Sequence, residues 1–87
     1  MRYYFDIYDG DHWTRDDLGM DCRDDRAARY QAVLGLVELA RDILPFDGAE
    51  KKLAIRVRSR EDQAFTVRLE FDIDAGPALA DRSIAGE

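Results

Sequence analysis

His12 and Cys22 are the chain's only imidazole and only thiol, the side chains best suited to acid-base and nucleophilic work near neutral pH. A cysteine nucleophile needs its base within hydrogen-bond reach, and nothing in the spacing of these two residues brings them there. His12, beside a turn, reads as a surface side chain. Cys22 lies next to Arg23, a neighbour that lowers a thiol's pKa, yet a lone thiol between strand and helix reads as structural. The aspartates Asp9, Asp11, Asp16 and Asp17 invite a calcium reading, which fails on spacing. Trp13 and Thr14 occupy the middle of any loop that starts at Asp9, and no glutamate precedes Glu38. There is no catalytic triad, no metal-ligand spacing and no phosphate-binding loop. The expectation is a protein that is not an enzyme, with no catalytic, cofactor-binding or metal-binding residue and no cofactor.

Two other groups have the chemistry of contact. Tyr4 and Tyr8 alternate with Asp6 on one face of the first strand, and Arg56, Arg58 and Arg68 fall on the matching face of later strands. Aromatics interleaved with arginines on an open sheet are how some RNA modules stack bases. Asp6, Glu70 and Asp72 share that face, however, and are expected to pair with the arginines, which makes nucleic acid an unfavoured partner. The second group is Leu36, Leu39 and Ile43 on the helix. Its apolar arc spans roughly 220°, well beyond the ~100° stripe that packing on one sheet requires. Either sheet curvature and the chain ends cover the surplus, or Leu39 and its neighbours Leu36 and Ile43 meet another subunit.

The elements that position these groups follow from periodicity. Residues 2 to 8 alternate as a strand, with Tyr3, Phe5 and Ile7 inward and Tyr4, Asp6 and Tyr8 outward. Asp9-Gly10 is a hairpin turn pair, followed by a return strand over about residues 12 to 16. Asp16 to Gly19 reads as a second turn and Met20 to Cys22 as a short extended piece. Helical spacing runs from about Asp24 to Leu44, centred on Val33, Leu36, Val37, Ala40, Ile43 and Leu44. Asp21, Asp24 and Asp25 offer cap oxygens, and Pro45 ends the helix. Gly35 falls near the polar arc, where it costs about 1 kcal/mol of helix stability without return.

Residues 53 to 58 and 65 to 72 alternate as an antiparallel hairpin. If Val57 faces Phe65, Lys52 falls opposite Glu70, whereas a two-residue slip sets Arg56 against Arg68. Like charges in register destabilise a ladder, so the first is expected. The order β-β-α-β-β predicts an α+β two-layer domain, a four-stranded and mainly antiparallel sheet with one long helix on one face. The domain spans residues 1–73, and residues 74–87 form a flexible or lightly docked tail.

The chain has 87 residues, 46% of them hydrophobic, and a net charge of −6. That is one small core, short of the size at which burial alone gives generous stability, which favours a homo-oligomer, expected to be a dimer. The negative charge disfavours nucleic acid and anionic membranes. No stretch reaches the ~20 apolar residues of a membrane span. One unpaired cysteine and no leader segment fit a cytoplasmic protein.

The opening "RYYFDIYDGD", then "DDLGMD", the helix start "DDRAARYQAV" and the closing hairpin resemble a family of very small bacterial proteins of unknown function, DUF6894, over about residues 2 to 72. That resemblance implies the fold and no activity or functional residue. A looser similarity is to HicB-like antitoxin domains, which also place an Asp-Gly hairpin before an alanine-rich helix. The chain has "DDLGMDC" where those carry Pro-Asp-Leu-Pro-Gly, and it lacks their appended DNA-binding helices. Function is thus expected to be protein interaction, with self-association first and an acidic antitoxin-like partner of a basic protein as the alternative.

Overall fold

A computed structural model describes residues 1–47, 50–60 and 63–74. The elements run β1 (Arg2–Tyr8), β2 (Trp13–Thr14), β3 (Met20–Asp21), α1 (Asp25–Ile43), β4 (Glu50–Ser59) and β5 (Gln63–Asp72). All strand pairs are antiparallel and the sheet order is β2-β1-β4-β5, with β3 also on β1. The architecture is the expected α+β one with five strands instead of four. Met20 and Asp21, read as a lead-in to the helix, form the added strand by pairing with Tyr3 and Arg2. Most of residues 74–87, expected as a tail, lie outside the described residues.

β4 covers one side of β1 from Tyr3 to Tyr8, so β2 and β3 share the other side. β3 and β4 are each antiparallel to β1 and hence parallel to one another. Parallel strands need a long crossover, and α1 supplies it. Asp24 caps the helix, its Oδ1 accepting from the Ala27 N–H at 2.9 Å. Leu44 closes it, donating its N–H to the Ala40 carbonyl at 2.8 Å ahead of Pro45. The hairpin takes the register the charges favour, Val57 opposite Phe65 and Lys52 opposite Glu70. Beyond Val57 the register shifts, so that Arg58 meets Gln63.

The helix is rotated relative to its sequence-derived stripe. It buries Ala28, Ala32 and Leu36 against Tyr3, Leu53, Ile55 and Val57, with Cys22 closing one end. Val33 and Val37, placed at the stripe's centre by spacing, are 42% and 56% exposed. The cause is close approach: Ala28, Ala32 and Gly35 form a small-residue face that lets the helix settle onto the sheet. A Cβ at Gly35 would stand 3.2 Å from Ile55 Cδ1, so this glycine has a packing role after all. α1 lies mainly over β4 and β5. Phe5 and Ile7, expected in the core, are therefore only half-buried.

Candidate functional site

On the face away from the helix, Asp6 is the one buried charged residue among those described, 1% exposed. The β1-β4 register sets it opposite Arg56, with Arg58 opposite Tyr4. Its Oδ2 accepts from Arg58 Nε at 2.8 Å and Arg56 Nε at 3.2 Å. Its Oδ1 accepts from Arg58 Nη2 and from the Asp16 N–H, both at 3.0 Å. Burial alone would raise this carboxyl's pKa, but the bonds from Arg58, the Asp16 amide and Arg56 prevail and hold it at about 2. The expected pairing of Asp6 with the arginines is thus present.

Asp16, read from sequence as part of a turn, organises the cover over this cluster. Its carboxylate accepts from the N–H groups of Phe5 and Leu18 at 3.0 Å and of Gly19 at 3.1 Å. The Phe5 amide faces the gap between β2 and β3, and Asp16 stands in for the missing strand partner. Arg58 Nη2 also donates to the Asp16 carbonyl at 2.9 Å. Burial works to raise the Asp16 pKa, and the three amides outweigh it, so the carboxyl titrates below its ordinary value. The outward row ends in stacked rings. Arg56 lies over Trp13 at 4.4 Å, Arg58 over Tyr4 at 4.9 Å, and Tyr8 meets Trp13 at 5.2 Å between centroids. Sequence reasoning named Tyr4, Tyr8, Arg56 and Arg58 for this face and missed Trp13. The turn is centred on Gly10-Asp11, one residue later than the Asp9-Gly10 pair read from sequence, with the Asp9 N–H donating to the His12 carbonyl at 3.3 Å, and that shift sets Trp13 opposite Tyr8. Arg68 sits apart, exposed on β5 opposite Ala54.

His12 and Cys22 are not brought together. His12 lies in the hairpin beyond Tyr8, exposed and 3.9 Å from Asp9. Cys22 pairs with Met1 through backbone bonds at the other end of β1, on the order of 20 Å away for a strand of this length. Burial pushes the Cys22 thiol's pKa up, the reverse of the lowering expected from Arg23. The turn aspartate Asp9 spends Oδ1 on the amides of Asp11 and His12 at 2.9 and 3.1 Å.

A second surface lies beside α1. Because the helix sits over β4 and β5, the β1 side leaves an open groove of about 520 Å³ lined by Phe5, Ile7, Met20, Leu34, Gly35 and Ile55. The helix residues expected to meet a partner are placed otherwise. Leu36 is 5% exposed in the core, and Leu39 and Ile43 pack partly buried against it. The exposed apolar row is Tyr30, Val33, Leu34 and Val37, at 63%, 42%, 44% and 56%. It lies opposite the alanine face. No described helix is long and apolar enough to cross a membrane.

Among known proteins, the sequence model of a family described as a domain of unknown function, DUF6894, matches residues 2–70. No curated protein and no solved structure matches the chain, and the HicB likeness finds no support there.

Proposed function

The chain belongs to the DUF6894 family, a domain of unknown function, and from that premise we propose a non-enzymatic protein-interaction domain that acts as a homo-oligomer. The observation that carries this reading is the row Tyr30, Val33, Leu34 and Val37, each at least 42% exposed. These residues recur at three- and four-residue spacing on a helix whose opposite face already fills the core. Apolar rows left in water at that spacing are what helix-in-groove contacts use.

The polar cluster argues the same way. Asp6 accepts four hydrogen bonds within the fold, which leaves it little capacity for a substrate. Arg56 and Arg58 are committed to it, and with a net charge of −6 the sheet face gives little attraction to phosphate. The lone thiol, held in the core, suits a reducing cytoplasm. Sedimentation at tens of micromolar is expected to give a dimer mass, and a strictly monomeric chain would refute the reading. Isolation as a stable complex with a small basic protein would replace it by the acidic-partner alternative.

A further inference from the structure

Resting on that self-association reading, we propose that two copies of this chain join edge to edge through β5, paired antiparallel about a two-fold axis perpendicular to the sheet. The two sheet edges are built differently. At the β2/β3 edge each strand has two residues, and between them Asp16 takes up the Phe5 amide, so no long ladder is open there. β5 has ten residues, without proline, glycine or lysine, and pairs only with β4 among the described residues. Natural sheets blunt such an edge or use it.

The β5 sequence is complementary to itself. With Leu69 facing its own copy, Arg68 of each chain meets Glu70 of the other, Val67 meets Phe71, and Phe65 meets Ile73. Sliding by two residues brings Arg68 against Arg68 in one direction and Glu70 against Glu70 in the other. A one-residue slide would put apolar side chains opposite polar ones.

The helix supports the same geometry. Gln31, Leu34 and Glu38 line the groove on the β1 side, so the opposite flank, with Val33, Val37, Ala40 and Leu44, leans toward β5. A two-fold axis at Leu69 sets the two helices antiparallel on one face, with these flanks turned to each other. That interface is isologous and closes at two copies.

The test is a charge exchange at exposed positions, with helical circular dichroism confirming that each variant is folded. Arg68→Glu and Glu70→Arg each place two like-charged pairs at the junction. Each is expected to raise the dimer dissociation constant roughly tenfold or more. Mixing the two variants restores opposite charges at both positions, so a heterodimer of about wild-type strength is expected, and the double variant regains its own dimer. Unchanged dimerisation in both single variants, or a mixture no tighter than either alone, overturns β5 pairing while leaving self-association standing. A monomeric wild type overturns both.

Discussion

Asp6 shows how a residue on the open face of a sheet becomes one of the least exposed in the domain. Alternation along β1 places it outward, and its burial depends on Asp16, whose backbone arrives from a loop that alternation cannot describe. Replacing Asp6 by Asn removes the charge and leaves Arg58 and Arg56 facing a neutral acceptor. Breaking a fully buried pair costs 3–5 kcal/mol. Because the two arginines keep 20% and 38% of their side chains exposed, the expected loss is about 2–3 kcal/mol by urea unfolding at pH 7. The folded pKa of Asp6, about 2, lies below its unfolded value of 3.8. The stabilisation is therefore complete above about pH 4 and lost as pH falls through 2. Unfolding curves of wild type and Asp6→Asn should converge across that window, and a gap that persists below pH 2 would count against the ion pair. Tyr3 titrates at the opposite end. Its hydroxyl donates to Asp25 Oδ1 at 2.6 Å, and that bond, with burial, lifts the phenol to about 12. The raised value means the bond's contribution holds below pH 10 and disappears as pH rises through 12. Tyrosinate absorbance should show a step near pH 12 that Tyr3→Phe removes; identical titrations would contradict the assignment.

Strands, helix and hairpin register were legible because each leaves a local mark. Alternation gave β1, β4 and β5, Asp24 and Pro45 bracketed α1, and the charges at Lys52 and Glu70 chose the ladder. The rotation of α1 was not legible. A wheel centred on the bulky residues points to Val33 and Val37, whereas close packing follows Ala28, Ala32 and Gly35, whose small size matters only once the sheet is opposite. Among the described glycines, Gly19 and Gly35 accordingly differ in their expected response. Gly19 has φ +75°, and a Cβ there would stand 2.9 Å from the Tyr3 carbonyl oxygen. Gly19→Ala should lower stability by about 1–3 kcal/mol. At Gly35 the helix gains about 1 kcal/mol from alanine, set against a contact that the Ile55 methyl relieves by a small shift. Thermal melts should show Gly35→Ala close to wild type and Gly19→Ala clearly below it. Equal losses would mean the helix sits as tightly on the sheet as the loop sits on β1.

At the scale of the whole molecule, the helix layer among the described residues is narrower than the sheet. One helix over β4 and β5 leaves a groove along β1 and an apolar row facing water, and for a domain this small a second subunit is the physical remedy. Val37→Asp is expected to abolish the dimer in sedimentation and to lower the thermal midpoint only by the dimer's own contribution, so that variant and wild type melt alike at concentrations where both are monomers, since the side chain is already 56% exposed. A dimer that survives this change would exclude the helix row from the interface. Sequence alone carried the surplus of apolar residues but misplaced it, because which leucines a sheet covers is decided by strand order, and that order is not written in any local pattern.

The central position of β1 also sets an order of events. β4 and β5 are neighbours in sequence and can zip together locally, whereas β1 meets β4 across the whole helix, with Tyr8 opposite Ala54 and Tyr3 opposite Ser59. Closing that long loop carries the larger entropy cost. On a ribosome β1 is thus made well before its main partner β4. Until Ala54–Ser59 emerges, its aromatic row lacks the strand it pairs with, and β1 is the strand with the longest wait for shelter.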